Sequence, residues 1–293
     1  MAHSIQDQPP LPAGRISRPS TTTETALLST DIIEQLAEEF FQAEKTRTPI
    51  KQISLRHPEI TISDAYAIQK AWVQKKIRAG NVLKGHKIGL TSRAMQQAVG
   101  IDEPDFGALL EDMFFRDGDT IPTDRFIAPR VEVELAFIMD RRLEGPNVTL
   151  YDVLDAVRYV TPALEIIDSR SQMVDPETGR TRKVFDTIAD NAANAGVVLG
   201  GRPVRANEVD LRRVSAILSQ NAVIEETGVA AGVLNHPANG VVWLANRLSE
   251  HGVALEKDQV ILGGSFTRPV FAKKGDTLFV DYGPLGAVSC HFG

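Results

Sequence analysis

The sequence predicts an α+β fold in which helices precede a larger, strand-rich part of the chain. Amphipathic helical periodicity is concentrated before residue 80, whereas runs of β-branched and aliphatic residues bounded by Gly, Pro or Asp dominate after it. Helices and strands are thus segregated along the chain, which is typical of α+β proteins and not of regular βαβ alternation. Neither an internal repeat nor a glycine-rich nucleotide-binding motif interrupts this pattern.

Four segments show helical periodicity and end signals. The second begins at Ser63, the expected N-cap, and stops at Gly80. The third begins at Thr149, with Asp152 at capping-box spacing, and the fourth is closed by Gly252. The predicted helices are residues 29–47, 63–79, 149–159 and 237–250.

Strand-like runs follow the helical part. They are residues 82–90, 130–139, 163–168, 195–199, 214–220, 259–262, 277–282 and 287–292. The first residues are rich in Pro, Ser and Thr and show no periodicity. The sequence therefore predicts a disordered or extended tail over residues 1–28, a helical part over residues 29–80 and a β-rich part over residues 81–293.

Composition limits the classes of protein to which the chain belongs. The 293 residues are 43% hydrophobic and 24% charged, with a net charge of −6, enough for one large core or two smaller ones. This mild acidity argues against nucleic acid as a main partner. No run approaches the ~20 apolar residues of a membrane span. The single cysteine, Cys290, excludes an intrachain disulfide and fits a reducing compartment, so we expect a cytoplasmic protein.

Two glutamates lie inside the apolar strand predicted over residues 130–139. Side chains alternate along a strand, so Glu132 and Glu134 share one face at ~6–7 Å spacing. They form either a solvated face or a buried pair, and buried carboxylates must be paired, protonated or metal-bound. The uninterrupted apolar run up to Met139 favours burial, whereas Arg130 offers an ion-pair partner and keeps the other reading open.

A third carboxylate occurs in a similar setting. Glu165 stands alone among aliphatic residues just after a predicted helix. Three carboxylates without a nearby cysteine or histidine cluster form a hard, all-oxygen ligand set, which suits Mg²⁺ or Mn²⁺ rather than Zn²⁺. Three protein ligands would leave coordination positions for water and substrate, as catalysis requires.

Five ordered motifs resemble the fumarylacetoacetate hydrolase superfamily. They are residues 85–92, 101–107, 130–137, 162–168 and 264–267. The resemblance covers roughly residues 30–293 and is strongest to the 2-oxo acid hydratase and decarboxylase branch of aromatic meta-cleavage pathways. Residues 182–194 are most similar to the hydratases of that branch that act on seven-carbon substrates.

The resemblance implies an architecture and a set of site residues. It implies a fumarylacetoacetase-type core of mixed sheets, with residues 81–293 as the metal-binding catalytic domain, and homo-oligomers built from dimers, decamers included. It implies that Glu132, Glu134 and Glu165 bind a divalent ion, usually Mg²⁺ with Mn²⁺ as the alternative. It also implies that Lys87 and Asp105 line the active site as catalytic residues.

The activity that the resemblance implies is hydration. The enzyme would add water to a 2-oxo-heptenedioate through a metal-stabilised enolate, giving a 4-hydroxy-2-oxo acid in the catabolism of homoprotocatechuate or 4-hydroxyphenylacetate. Proton transfer at carbon requires a base and an acid. We assign Asp105 as the base and Lys87, with a pKa lowered by the adjacent cation, as the donor. The alternatives are that Lys87 is an ordinary solvated lysine and that Asp105 is an ordinary turn residue.

Other polar residues have two readings each. His86 is an alternative base or a core histidine, and Ser265 and Thr267 bind the substrate carboxylate or shape a turn. Arg182 and Lys183 are candidate cations for a distal carboxylate, although the flanking sequence favours a mobile charged loop, so neither is assigned a role.

Three rival functions remain open at this point. A 2-oxo-3-hexenedioate (4-oxalocrotonate) decarboxylase would share the metal site and lose CO₂. A C–C hydrolase of acylpyruvates would need a water-activating His–Glu pair, which the sequence does not place. A non-catalytic structural subunit of a hydratase–decarboxylase complex would not need its full set of site residues.

Overall fold

A computed structural model describes the chain over residues 28–293. The predicted tail, residues 1–28, lies outside the described residues except for Leu28. Leu28 is buried, and its backbone N–H donates to Asp64 Oδ1 at 2.9 Å. No helix within the described range has both the length and the apolar character to cross a membrane.

Seven α-helices lie within the described residues. They are α1 Thr30–Thr46, α2 Ile53–Arg56, α3 Ile62–Arg78, α4 Arg93–Val99, α5 Leu150–Ala156, α6 Val184–Ala189 and α7 Ala238–Ser249. The predicted N-cap of α3, Ser63, is wrong, because Thr61 accepts the Asp64 N–H and Asp64 accepts the Thr61 N–H in return. The capping box predicted at Thr149 and Asp152 is confirmed.

The third predicted helix ends three residues early. Residues 149–159 were expected to be helical, but α5 stops at Ala156 and a strand begins at Val157. Val157, Tyr159 and Val160 are β-branched or aromatic, and they pair with a neighbouring strand over a long ladder. Tertiary pairing therefore overrides the helical pattern at this boundary.

Thirteen strands are described, and they form two mixed sheets. The strands are β1 Leu83–Gly89, β2 Asp105–Leu110, β3 Phe114–Arg116, β4 Thr120–Ile121, β5 Arg130–Met139, β6 Val157–Ile167, β7 Asn194–Leu199, β8 Ser215–Gln220, β9 Val223–Val229, β10 Val260–Leu262, β11 Val270–Phe271, β12 Thr277–Asp281 and β13 Ala287–Phe292. The eight-stranded sheet has the order β2-β1-β10-β5-β6-β7-β3, with β11 paired to β5, and the five-stranded sheet has the order β4-β13-β12-β8-β9. The α+β prediction is confirmed.

Several elements do not appear in the sequence prediction. The strand β2 opens with Asp105 and contains a glycine, so its residues read as a turn. Most of β9 is exposed and shows no clean alternation, and α6 is too short for a periodic pattern. Among these, β2 bears directly on the site, because Asp105 lies in a buried strand and not in an exposed turn.

Two large apolar clusters position the site. The main core draws on both sheets and on α5 and α7. A second cluster packs α1 and α3 against β2 and α6. At the junction of the two sheets, the Tyr282 hydroxyl donates to Ala163 O at 2.7 Å and also lies 3.0 Å from Glu134 O. The five-stranded sheet is thereby fixed directly behind strands β5 and β6.

Candidate active site

The three predicted glutamates converge on one face of the antiparallel pair β5 and β6. Glu132 lies opposite Glu165 in the strand register, and Glu134 lies two residues further along the same face. One carboxylate oxygen from each of the three lies within 4.8 Å of the others. Residues that are about thirty positions apart in sequence therefore form a single cluster.

Burial makes this cluster electrostatically unfavourable on its own. Glu134 and Glu165 are almost fully buried, and Glu132 is partly exposed. Burial, together with the charge of Glu165, raises the pKa of Glu132 to about 7 and raises the pKa of Glu134 well above its ordinary range. The folded chain thus brings together carboxylates that repel one another unless protons or a cation neutralise them.

The unsatisfied oxygens of the cluster fit a hard divalent cation. Glu165 Oε1 accepts from Asn194 Nδ2 at 2.8 Å, and Glu134 Oε2 accepts from the Gly264 N–H at 2.8 Å. Glu165 Oε2 and Glu134 Oε1 are buried and have no hydrogen-bond partner among the described residues. The donors therefore fix the carboxylates from behind and leave inward-facing oxygens that only a cation or added protons would satisfy.

Arg130 forms no close ion pair with this cluster. It lies on the same strand face and its charge favours the ionised form of Glu132, but no carboxylate lies within 4.0 Å of it among the described residues. The group that approaches is Lys87, whose Nζ lies 3.3 Å from Glu165 Oε1 and donates to Ala192 O at 3.0 Å. The alternative in which Arg130 pairs a glutamate is therefore not supported.

Lys87 and Asp105 meet beside the glutamates. Register places Gly89 of β1 opposite Asp105 of β2. A Cβ atom on Gly89 would lie 2.2 Å from Asp105 Oδ1 and 3.0 Å from Lys87 Nζ, so the glycine is what allows the two side chains to approach. Asp105 Oδ1 is buried and has no partner among the described residues.

The pKa of Lys87 shifts in the opposite direction to the prediction. Burial alone would lower the pKa of Lys87, but the surrounding carboxylates, Glu165 first, raise it above its ordinary value. The predicted lowering of the Lys87 pKa was therefore wrong for the protein residues alone. It considered the charge of a bound cation and left out the charges of the surrounding carboxylates. Burial raises the pKa of Asp105, which makes its carboxylate a stronger base.

A strained turn behind Lys87 was missed by the sequence reading. Asn191, Ala192 and Ala193 all adopt positive φ, at 52°, 49° and 64°. Asn191 holds this turn against β2, accepting from the Ala108 N–H at 2.8 Å and donating to Ala108 O at 2.9 Å. The turn aims Ala192 O at Lys87 and places Asn194 against Glu165. The only available signal was the asparagine pair, because Asn tolerates left-handed backbone.

The segment after β10 lies against the glutamate strand. The Phe266 N–H donates to Val133 O at 3.2 Å, between the two β5 glutamates. The Ser265 hydroxyl donates to Thr267 O at 2.9 Å, as a turn-shaping serine would. The Thr267 hydroxyl is buried without a partner among the described residues, so it is free to bind a ligand.

His86 occupies the opposite face of β1 from Lys87. Burial lowers the pKa of His86 to about 4, which keeps the ring neutral. Alternation along the strand directs it away from the glutamates. The structure therefore favours the core reading of His86 over the alternative base.

Arg182 is not part of a mobile loop. Its side chain is only 13% exposed, its Nη1 donates to Ser169 Oγ at 2.7 Å and it lies 3.8 Å from Asp190 Oδ2. The expectation of a charged loop is wrong here because buried Asp190 and Ser169 hold the guanidinium. Lys183, in contrast, is exposed.

The chain is similar over most of its length to known enzymes. No protein-family model matches it. It is 65% identical over 257 residues to 2-oxo-hept-4-ene-1,7-dioate hydratase of Escherichia coli, covering 88% of this chain and 96% of the relative. It is 40% identical over 259 residues to 2-keto-4-pentenoate hydratase of Paraburkholderia xenovorans strain LB400, covering 88% and 94%.

A solved structure shares the whole fold. The 4-oxalocrotonate decarboxylase of Pseudomonas putida G7, complexed with magnesium and adipate, superposes with a TM-score of 0.87 at 33% identity. The match covers 92% of this chain and 100% of the decarboxylase chain. The mixed-sheet architecture and the helical N-terminal part are thus shared across the full length of that enzyme.

Proposed function

Because the chain belongs to the fumarylacetoacetate hydrolase superfamily, we propose that it is a divalent-metal-dependent hydratase of 2-oxohept-4-ene-1,7-dioate. It adds water to the substrate and releases a 4-hydroxy-2-oxo dicarboxylic acid. This places it in the meta-cleavage catabolism of aromatic compounds such as homoprotocatechuate. The relative that is 65% identical bears this activity in its name.

The observation that carries the proposal is the cluster of Glu132, Glu134 and Glu165 beside Lys87 and Asp105. The three glutamates supply hard oxygen donors, and two of their oxygens are buried without a partner among the described residues. Mg²⁺ is the proposed ion and Mn²⁺ the alternative, since both prefer such donors. When bound, the cation supplies a Lewis acid that draws electron density from the 2-oxo group of the substrate.

Asp105 is the proposed base. Its Oδ1 is buried, has no partner among the described residues and faces the same space as Lys87 Nζ. Its raised pKa suits it to take a proton from C3 of the substrate and return it to C5, which brings the C=C bond into conjugation with the 2-oxo group. Water then adds its oxygen at C4 and a proton at C3, which gives the 4-hydroxy-2-oxo acid. Asp105 is 2% exposed, so few bulk water molecules reach its carboxylate.

Lys87 is the proposed donor. Its Nζ is fixed by Ala192 O at 3.0 Å and Glu165 Oε1 at 3.3 Å, and the surrounding carboxylates keep it protonated. The third ammonium hydrogen is left to orient or protonate the substrate oxygen that develops negative charge. We propose that Thr267 contributes its unpartnered hydroxyl to the substrate carboxylate. Ser265, which we also predict to contact the carboxylate, shapes the turn that carries Thr267.

Decarboxylation is the second candidate. The solved decarboxylase has the same fold and was complexed with magnesium and a six-carbon dicarboxylate. The same glutamates, base and donor would serve loss of CO₂. The hydratase is preferred because identity to the hydratase relative is about twice as high, 65% against 33%.

One assay tests both candidates. Purified protein with Mg²⁺ is given 2-hydroxyhepta-2,4-diene-1,7-dioate and, separately, 2-oxohex-3-ene-1,6-dioate, whose C6 carboxylate can leave as CO₂ with formation of a conjugated enolate. Loss of ultraviolet absorbance is followed, and the products are identified by mass spectrometry with CO₂ measured in parallel. We expect the seven-carbon substrate to give a product that is heavier by one water, and neither substrate to release CO₂. Stoichiometric CO₂ release from the six-carbon substrate would replace the hydratase by the decarboxylase. Glu132→Gln should abolish turnover, whereas the matched exposed control Glu225→Gln should retain it.

We also propose that the chain forms homo-oligomers built from dimers. Large apolar side chains are exposed on the five-stranded sheet, namely Ile217, Val223, Ile224 and Phe279. A second copy of this chain would bury them. Light scattering on purified protein should give at least a dimer, and a monomer across micromolar concentrations would contradict this.

A further inference from the structure

We propose that Arg130 binds the distal carboxylate of the substrate and thereby selects dicarboxylic over monocarboxylic 2-oxo acids. The inference rests on the proposed function, since it assumes a 2-oxo acid anchored at the three glutamates. It adds a residue and a selectivity that the glutamate cluster alone does not give. A carboxylate is the ligand that a planar guanidinium recognises best, through two parallel N–H donors.

Arg130 has the right position on the strand. It precedes Glu132 by two residues on β5, so its side chain emerges on the same face as the glutamates. Two residues of a strand span ~6–7 Å, which is comparable to the extended carbon chain between C2 and C7 of a heptanedioate. A substrate with its 2-oxo end at Glu132 would therefore present its far end to Arg130.

Two of the three guanidinium nitrogens of Arg130 lack a hydrogen-bond partner among the described residues. Its Nε and Nη2 are buried and have no hydrogen-bond acceptor among the described residues. The charges of Glu132 and Asp168 act on Arg130, but neither carboxylate forms an ion pair with it within 4.0 Å among the described residues. Asp168 instead accepts the Ala128 N–H at 2.7 Å and the Ile127 N–H at 2.8 Å. Buried donors of a charged group that remain unpaired are costly, so an anion from outside the chain would relieve the penalty.

Neighbouring residues hold the guanidinium in place. Phe271 of β11 is the register partner of Arg130, and the guanidinium carbon lies 5.6 Å from the centre of the Phe271 ring. This cation–π contact holds the guanidinium near the ring and uses none of its N–H donors. Phe271 is 61% exposed, so this end of the site is reachable from solvent.

A second arginine extends the positive region. Arg182 is held by Ser169, and Arg130 is among the charges that act on it. Arg182 in turn is among the charges that act on Asp105. The two guanidinium groups repel each other, and an anion bound by Arg130 would reduce this repulsion. Arg182 is therefore a supporting charge, and Arg130 provides the unpaired donors.

Binding measurements at saturating Mg²⁺ test the inference. Isothermal titration of wild-type protein compares 2-oxoheptanedioate with 2-oxoheptanoate, which differ only in the distal carboxylate. We expect roughly 10- to 100-fold tighter binding of the diacid, the value of a charge-assisted contact. Arg130→Met should bring the ratio of the two dissociation constants close to one, and Arg130→Lys should give an intermediate ratio. Arg213→Met is the matched control, since this side chain is 88% exposed, and it should keep the wild-type ratio.

The outcomes separate this inference from the proposed function. Equal binding of both acids by wild-type protein, or an unchanged preference in Arg130→Met, would overturn the role of Arg130 alone. Binding of neither acid would overturn the proposed function and the inference with it. If Arg130→Met does not fold, the C7 methyl ester of 2-oxoheptanedioate decides on wild-type protein. The ester should bind as weakly as the monoacid, and binding equal to the diacid would overturn the inference.

Discussion

Glu165 is the residue at which the site's contacts meet. One of its oxygens accepts from Asn194 and lies near Lys87, and the other has no partner among the described residues. The charges of four carboxylates raise the pKa of the Lys87 ammonium, which is the one cationic group within 4.0 Å of the three glutamates among the described residues. The pocket therefore carries an excess of negative charge. A divalent cation offsets this excess without a further basic side chain.

Glu132 gives the first prediction at this scale. Its pKa in the folded chain is about 7 against an ordinary value of 4.5, so the folded state binds more protons than the unfolded state between these values. Stability of metal-free protein should therefore fall as pH rises from about 4.5 to about 7, and Mg²⁺ affinity should rise over the same window. Thermal unfolding of metal-free wild-type protein and Glu132→Gln at several pH values measures this. Identical pH profiles for the two proteins would contradict the assignment.

Asp105 gives the second prediction for a single residue. Asp105→Asn keeps the shape of the side chain and removes the base, so turnover should fall by roughly 10²- to 10⁴-fold. Mg²⁺ affinity should change little, because Asp105 is not one of the three glutamates. Steady-state kinetics and Mg²⁺ titration check the two expectations. The exposed neighbour Asp102, changed to Asn, is the control, and equal effects at both positions would argue against a specific role.

Among individual residues, the sequence identifies those that strand alternation or the family resemblance singles out. Glu132 and Glu134 stand out because they interrupt an apolar strand, and Glu165 because it stands alone among aliphatics. The environment of Asn194 and Arg130 could not be foreseen, since it depends on partners, or on a lack of partners, across the fold. Hydrogen bonds between distant residues leave no local pattern.

Strand register decides the geometry at the scale of elements. The β5–β6 ladder sets Glu132 against Glu165, and the β1–β2 ladder sets Gly89 against Asp105. A slip of one residue in either ladder would turn these side chains to the opposite face. The site is thus a property of two pairings and not of any one strand.

Substitution of Gly89 tests whether the pairing of β1 with β2 positions Asp105 and Lys87. A methyl group at Gly89 would collide with Asp105 Oδ1 and Lys87 Nζ, so Gly89→Ala should reduce turnover by at least about 100-fold, the cost of misplacing reacting groups. The free energy of unfolding should drop by about 1–3 kcal/mol. Kinetics and urea unfolding measure the two effects. Gly232→Ala is the control because its added Cβ meets nothing within 4 Å, and a Gly89→Ala enzyme as active as that control would refute the packing argument.

Strong elements were predictable, and weak ones were not. The ten-residue strand β5 ends in an uninterrupted apolar run over residues 135–139, which identifies it from the sequence. The strand β2 begins with an aspartate and is recognisable only by its pairing with β1. The end of α5 was misplaced because Val157 and its neighbours take their conformation from the β6 ladder.

The whole molecule depends on the contact between its two sheets. Tyr282 of the five-stranded sheet's last turn reaches the backbone of Ala163 behind the glutamates. The Tyr282 side chain is buried, so removal of its hydroxyl would take a hydrogen-bond donor away from the Ala163 carbonyl. Long-range links of this kind could not be predicted, because composition and periodicity do not determine strand order.

Tyr282→Phe gives the prediction at this scale. Loss of the hydroxyl should lower the free energy of unfolding by about 1–3 kcal/mol, the cost of a buried hydrogen bond. Chemical denaturation with urea measures the change. Tyr151→Phe is a suitable control, since Tyr151 is 81% exposed. Equal stability of both variants and the wild type would show that the hydroxyl contact does not join the sheets.

Metal binding by the glutamates is the central claim, and Mn²⁺ titration monitored by electron paramagnetic resonance tests it most directly. Wild-type protein should bind one Mn²⁺ per chain, displaced by Mg²⁺, and turnover should follow occupancy. Glu165→Gln removes a ligand, so its affinity should fall by more than the roughly 10- to 100-fold expected for an outer partner. Wild-type stoichiometry and affinity in Glu165→Gln would contradict the claim that these carboxylates form the metal site.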